Sequence, residues 1–228
     1  MSESAKVSPW LYWSIVPIHR AFMHLYFGKI TIMGRENLPK IGPAVFASKH
    51  FSRWDSLILA LLSTEPLRYM SRSDQMTGIQ GWLLGHLGGF SVDPVRPTVS
   101  SMRTAIKVLH NHKKLVIFPE GGIVRDQPLR SLKTGLARLV LQAEVTSPQP
   151  ISIIPISLYY SPTASARSNV FVYISPSLHT EQYRQPTDKL TAQSLTEALQ
   201  ESLLSGLDRV KRVSEGKTKD KSPNLLNL

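Results

Sequence analysis

The 228-residue sequence contains no cysteine, and this absence removes several kinds of chemistry at once. Disulfide bonds, a thiolate nucleophile and cysteine-based metal sites are all excluded. The sequence also lacks the G-x-S-x-G segment of serine hydrolases, the P-loop and the dinucleotide-binding glycine pattern. A cysteine nucleophile is therefore not available to any enzymatic mechanism on this chain, and we expect neither a metal ion nor a cofactor.

The sequence also has no uninterrupted apolar run of the ~20 residues that a membrane-spanning helix needs. The stretch from Trp10 to Phe27 is apolar and aromatic, but Arg20 and two histidines interrupt it. Tryptophan and tyrosine favour the level of the lipid headgroups. We predict that residues 1–27 form an interfacial helical segment that associates with a membrane surface. The alternative is an ordinary helix that packs on the domain.

Acidic residues are scarce, because 16 Asp and Glu stand against 27 Lys and Arg, and the net charge is +11. No acidic residue lies between Asp93 and Glu120, whereas five basic residues do: Arg96, Arg103, Lys107, Lys113 and Lys114. This balance favours anionic partners such as nucleic acid, anionic lipid, or acidic carriers and nucleotides. No RNA-recognition pattern is present, so nucleic acid is not expected as a partner. The alternative is that these charges only form a solvated face.

Predicted strands and helices alternate along the chain, which indicates an α/β fold. We predict a single α/β domain over residues 28–213, with a mixed central sheet flanked by helices. The apolar run over residues 151–159 is typical of a central strand. The polar residues 214–228 predict a disordered tail.

A histidine and a carboxylate, His50 and Asp55, lie five residues apart at a predicted change of chain direction. On one regular helix their side chains would point about 140° apart. However, residues 43–49 predict a strand and residues 54–62 a helix, with Ser52 at the N-cap position. His50 then lies on the connecting loop, and Asp55 can reach back to the imidazole as an orienting carboxylate. The alternative is that Asp55 only caps its helix.

A second carboxylate, Glu120, follows an apolar strand predicted over residues 115–118. Pro119 ends this strand, and Gly121 and the glycine after it allow the backbone to turn close to a ligand. Glu120 is thereby predicted at the mouth of the sheet, where open α/β sheets bind ligands. The alternative is a turn carboxylate on a solvated loop.

The segment with His50 and Asp55, followed later by the segment with Glu120, resembles the glycerolipid acyltransferases of the lysophosphatidate (1-acylglycerol-3-phosphate) acyltransferase type. His50 and Asp55 match the H-x4-D block, and residues 118–121 match the start of the F-P-E-G-T-R block. Weaker similarity covers residues 69–93, where Arg72 stands at a common lysine position, and the V-P-V-like residues 154–156. The resemblance spans about residues 30–175.

The resemblance implies an O-acyltransferase of phospholipid biosynthesis. It implies transfer of a fatty acyl group from acyl-CoA or acyl-carrier protein to the free hydroxyl of 1-acylglycerol-3-phosphate, a lysophospholipid acceptor. His50 would be the base and Asp55 its partner, Glu120 and Gly121 would belong to the acceptor site, and Arg72 would bind phosphate. The protein would be peripheral or monotopic on the cytoplasmic face of a membrane. The alternatives are another lyso-lipid or glycolipid acceptor, or a basic non-catalytic binder of membrane or nucleic acid.

The sequence departs from the family pattern at three positions, and two of these concern the acceptor. Lys49 precedes the histidine where asparagine is usual, Ile123 replaces the arginine of the third block, and Pro94 follows Asp in the second block where arginine is frequent. In the family those arginines are associated with the acceptor phosphate. Arg96 and Arg125 each lie two residues beyond a missing arginine and are the candidate substitutes.

Overall fold

The computed structural model describes residues 5–93, 98–147 and 149–217. Seven strands form one sheet in the order β1-β7-β6-β2-β5-β3-β4. The strands are β1 (Ile30–Met33), β2 (Ala44–Ser48), β3 (Arg68–Arg72), β4 (Gly89–Val92), β5 (Lys114–Ile117), β6 (Ser152–Ser161) and β7 (Asn169–Ile174). The helices are α1 (Pro9–Tyr26), α2 (Asp55–Ala60), α3 (Gly78–His86), α4 (Val99–His110), α5 (Gly135–Glu144) and α6 (Asp188–Ser214).

The sheet is mixed, as predicted. Strands β6, β2, β5, β3 and β4 run parallel to their neighbours, whereas β7 is antiparallel to β6 and carries β1 on its outer side. Strand β6 has partners on both sides, so the prediction of an interior strand from its apolar run is confirmed. The carboxyl ends of five parallel strands consequently meet at one edge of the sheet, and the candidate site is built there.

Both faces of the sheet are covered, which explains why β2 is buried at every position. Because side chains alternate along a strand, Val45 and Ala47 enter the core beneath α4, α5 and α6, whereas Phe46 enters the core beneath α1 and α2. A strand buried on both faces must be apolar throughout, which is the pattern that residues 44–47 show. The mixed central sheet flanked by helices is thus confirmed.

Helix α1 packs on the domain along only a narrow face. Pro9 occupies its first turn, and the helix continues through Pro17. Met23 and the following Phe27 are buried in the core that α2 shares. The opposite face of α1 is exposed and apolar, and it carries Trp10, Trp13, Ile18, Phe22 and Leu25. No helix in the described ranges is long and apolar enough to cross a membrane.

Two predicted boundaries moved, and two predictions lie outside the described residues. The helix predicted over 54–62 is the shorter α2. Helix α5 begins only at Gly135, because residues 130–133 bond to other segments instead. Helix α6 extends to Ser214, where the tail was predicted to begin. Residues 218–228 of that tail lie outside the described residues, as does Arg96.

Candidate active site

His50 and Asp55 meet at the carboxyl end of β2, so the predicted contact is confirmed. The chain leaves β2 after Ser48 and enters α2 at Asp55. His50 Nδ1 lies 2.9 Å from Asp55 Oδ2. A carboxylate only accepts, so Nδ1 carries the proton and Nε2 has a free lone pair. The side chain of His50 is 19% exposed and that of Asp55 is fully buried, so the imidazole alone reaches solvent.

The Asp55 carboxylate holds the loop in shape as well as the histidine. Its Oδ2 accepts the backbone N–H groups of Phe51 at 2.7 Å and Ser52 at 2.8 Å. Its Oδ1 accepts the hydroxyl of Tyr160 at 2.7 Å. The N-cap residue of α2 is Trp54, without a side-chain cap bond, so the prediction of Ser52 at the N-cap position is wrong. Asp55 instead closes the loop before the helix and holds the imidazole with the same side chain.

Phe118 fixes the plane of the His50 ring. The two ring centroids are 3.9 Å apart and the planes differ by 14°. Phe118 directly follows β5, the parallel neighbour of β2, so its side chain lies at the same edge of the sheet. The sequence pattern gave it no role beyond ending a strand. An aromatic residue at the end of the strand that precedes the Pro-Glu-Gly turn was the available signal.

Glu120 is turned into the protein. Its side chain is fully buried. Its Oε2 accepts the backbone N–H of His50 at 2.9 Å, and its Oε1 accepts the backbone N–H of Arg130 at 2.8 Å. The alternative of a solvated turn carboxylate is therefore wrong. Gly121 follows with a φ of 76°, a left-handed conformation that favours glycine, and this lets the chain turn away immediately after the carboxylate.

Lys49 also contacts the loop of residues 120–130. Its ammonium group lies 3.6 Å from Glu120 Oε1 and donates to the backbone carbonyls of Val124 at 3.0 Å and Gln127 at 3.2 Å. Val124 in turn donates its N–H to the carbonyl of His50 at 2.8 Å. The lysine that departs from the family pattern thus joins the loop of residues 120–130 to the loop that carries His50.

The candidate phosphate-binding arginines differ in position. Arg125 is exposed, and its Nε donates to the carbonyl of Phe51 at 3.2 Å, beside the histidine loop. Arg72 ends β3 at the same edge of the sheet, two strands from β2 and therefore about 10 Å away. Its guanidinium binds both carboxylate oxygens of Asp74 at 3.0 Å, and this bond lowers the pKa of Asp74.

Lys133 is a further cation at the site that the sequence pattern missed. A Cβ placed on Gly121 would lie 3.5 Å from its ammonium group. Lys133 therefore lies beside Gly121, whereas Arg125 lies beside the histidine loop. Within the described ranges no group of three His, Asp or Glu residues is arranged to hold a metal ion. The arrangement offers a base, its orienting carboxylate and nearby cations, which suits proton removal beside an anionic group.

Comparison with known proteins agrees with this geometry. Residues 29–159, more than half of the chain, match the family model described as Acyltransferase. The chain therefore belongs to the Acyltransferase family.

Three proteins illustrate the similarity. A chloroplastic 1-acyl-sn-glycerol-3-phosphate acyltransferase of Arabidopsis thaliana is 30% identical over 67% of this chain and 44% of its own length. The 1-acyl-sn-glycerol-3-phosphate acyltransferase of Borreliella burgdorferi is 26% identical over 58% of this chain and 51% of its own. The chain therefore spans about half or less of these relatives. The crystal structure of the acyltransferase PlsC of Thermotoga maritima shares the fold, with a TM-score of 0.69, 19% identity, and coverage of 88% of this chain and 81% of that one.

Proposed function

We propose that this protein transfers a fatty acyl group from acyl-CoA or acyl-carrier protein to the free hydroxyl of 1-acylglycerol-3-phosphate, in phospholipid biosynthesis. The observation that carries the proposal is the 2.9 Å bond between His50 Nδ1 and the buried Asp55, which leaves Nε2 free at the carboxyl edge of the sheet. The choice of substrate class is supported by the relatives, which are named as 1-acyl-sn-glycerol-3-phosphate acyltransferases.

In the proposed reaction His50 Nε2 takes the proton of the acceptor hydroxyl as its oxygen attacks the thioester carbonyl. The tetrahedral intermediate then expels the thiolate, which receives the proton from the imidazolium. An ester bond forms, the thioester bond breaks, and no group remains on the protein. Asp55 keeps the proton on Nδ1 and stabilises the imidazolium that forms in between. A base placed in this way contributes about 10²–10⁴ in rate.

The acceptor phosphate is proposed to bind on the side of the 120–130 loop. A phosphate monoester needs charged donors in a partly dry site. Arg125 is the candidate closest to the histidine loop, and it forms no ion pair with any residue in the described ranges. Glu120 and Gly121 then shape this loop, with both oxygens of Glu120 bonded to backbone N–H groups. Arg72 remains a candidate only if it releases Asp74.

Arg125→Ala is expected to raise the KM for the acceptor about tenfold and to leave the KM for the donor unchanged. A hydrogen bond from a charged group contributes about 1.5–3 kcal/mol, and the exposure of Arg125 favours the lower end. Steady-state kinetics with both substrates varied measures the effect. The matched control is Arg138→Ala on α5, which removes an exposed arginine away from the site. An equal effect on both KM values, or none on either, contradicts the assignment.

Residues 1–27 are proposed as a membrane-associating segment of a peripheral or monotopic protein on the cytoplasmic face. The exposed apolar face of α1 supports this, since Trp10 is 71% exposed and Leu25 is 84% exposed at opposite ends of the helix. The net charge of +11 adds attraction to an anionic membrane surface. Deleting the whole segment is a poor test, because Met23 and Phe27 are buried in the core.

The double variant Trp10→Ala, Leu25→Ala is expected to bind anionic vesicles at least about tenfold more weakly, because burying one large apolar side chain contributes about 1.5–3 kcal/mol. Vesicle sedimentation at several salt concentrations measures the binding, which should also weaken as salt screens the charges. The control is Leu190→Ala, Leu204→Ala, which removes exposed leucines from α6. Equal binding by both double variants contradicts the assignment of the α1 face.

An acyltransferase with another lyso-lipid or glycolipid acceptor is the second candidate. The observation that favours it is Ile123, which stands 40% exposed at the usual arginine position. Comparing kcat/KM for 1-acylglycerol-3-phosphate with that for lysophospholipids and glycolipids lacking a phosphate monoester decides between the two. Preference for the monoester supports the proposal, and preference for another acceptor replaces it. A basic non-catalytic binder of membrane or nucleic acid would acylate none of them.

A further inference from the structure

We infer that Tyr160 is a positioning residue of the acyl transfer, which acts on His50 through Asp55. Its hydroxyl donates to Asp55 Oδ1 at 2.7 Å, within the interior of the protein. The histidine, the carboxylate and the phenol therefore form one continuous hydrogen-bonded row. This inference rests on the proposed function, since it assigns a role in the same reaction.

Sheet topology explains why Tyr160 reaches the site. Strand β6 pairs with β2 as far as Ile156 opposite Ser48, and then continues to Ser161 with β7 as its partner. The part of β6 that extends beyond its pairing with β2 lies beside the loop that carries His50. Because side chains alternate along a strand, Tyr160 shares the α2 side of the sheet with Ile156 and its neighbours in that core.

The two carboxylate oxygens of Asp55 accept different numbers of hydrogen bonds, and the Tyr160 hydroxyl matters for this reason. Oδ2 lies close to three nitrogen donors, from the ring of His50 and the backbones of Phe51 and Ser52. Among the described residues Oδ1 has the Tyr160 hydroxyl alone. Removing that hydroxyl would leave one carboxylate oxygen buried without a donor, in a side chain that is 0% exposed.

The phenol remains a donor throughout the working pH range. Burial raises the pKa of Tyr160 far above its usual range, and the negative charge of Asp55 raises it further. The rings of Phe27 and Phe51 lie 5.8 Å and 5.9 Å from that of Tyr160 and hold it in place. Tyr160 thus partly neutralises the carboxylate without giving up its proton. The attraction between Asp55 and a protonated His50 is reduced to the same degree.

Tyr160→Phe is expected to lower kcat about tenfold, the equivalent of about 1.4 kcal/mol in the barrier, because Asp55 loses the donor to its Oδ1 and no longer holds His50 as firmly in place. Both KM values should be unchanged. The acid limb of the kcat/KM profile against pH should move to higher pH, because a less neutralised Asp55 holds a proton on His50 more strongly. The matched control is Tyr159→Phe. Tyr159 is the adjacent residue on the opposite side of the strand, and no hydrogen bond of its hydroxyl to a described residue occurs.

A purely structural role would lower the melting temperature without moving the acid limb, and that result overturns the inference. If Tyr160→Phe does not fold, replacement of Tyr160 by a fluorinated tyrosine keeps the shape and strengthens the donor. The acid limb should then move to lower pH, and an unmoved limb again overturns the inference. Failure of the proposed function is distinguishable, because the unaltered protein would then acylate no acceptor, or His50→Ala would retain turnover, whatever Tyr160→Phe does.

Discussion

His50→Ala is expected to lower kcat by about 10²–10⁴, because it removes the group that we propose takes the hydroxyl proton. The fold should survive the change. The side chain of His50 is partly exposed on a loop. In the variant, Asp55 would still accept hydrogen bonds from the backbone N–H groups of Phe51 and Ser52 and from the Tyr160 hydroxyl. The measurement is turnover under saturating donor and acceptor, alongside thermal unfolding of the same preparation.

The matched control is His24→Ala, which removes an exposed histidine from α1. It should retain the turnover of the unaltered protein. Substantial turnover by a well-folded His50→Ala protein contradicts the role of His50 as base. Loss of turnover together with loss of folding would instead show that the imidazole ring stacked on Phe118 is part of the structure.

Glu120→Gln is expected to have the largest effect on stability, a loss of about 3–5 kcal/mol, as found when one partner of a buried ion pair is removed. The side chains of Glu120 and Lys49 are 0% and 5% exposed. Both oxygens of Glu120 accept backbone N–H groups, and a glutamine would turn an NH₂ group towards one of those donors. Lys49 would also lose its buried carboxylate. Chemical unfolding monitored by fluorescence measures the change.

This result separates two roles for Glu120. A carboxylate that only binds the acceptor would raise the acceptor KM when changed to glutamine and leave the unfolding midpoint where it was. If the carboxylate instead joins the His50 loop to the 120–130 loop, its change to glutamine lowers both the unfolding midpoint and kcat. Glu36→Gln, at an exposed glutamate, is the control and should change neither quantity. A stable Glu120→Gln protein with an unchanged kcat would contradict the structural role.

The local parts of the fold and site were predictable from the sequence. Residues 43–49 and 54–62 carry the signals of a strand and a helix joined by a short loop, and these signals lie within a few residues of one another. They were sufficient to bring His50 and Asp55 together, because the loop between them is closed by its own N–H groups. The apolar run in β6 likewise predicted an interior strand.

The remaining contacts depend on sheet order, which local patterns do not contain. Tyr160 bonds to a carboxylate 105 residues away, and Glu120 bonds to the His50 backbone across 70 residues. Both contacts arise because β5 and β6 lie on either side of β2. Lys49 was visible in sequence only as a departure from a pattern. Its partners, the carbonyls of Val124 and Gln127, carry no sequence signal because every residue has a carbonyl.

We propose that the His50–Asp55 pair promotes direct transfer of an acyl group from a thioester to 1-acylglycerol-3-phosphate. The most direct test is mass spectrometry of lipids and intact protein after the purified protein is incubated with that acceptor and either acyl-CoA or acyl-carrier protein. We expect phosphatidate with at least one donor, no acylated protein, and no phosphatidate with His50→Ala. Absence of any acylated lipid with both donors, or equal phosphatidate from His50→Ala, would contradict it.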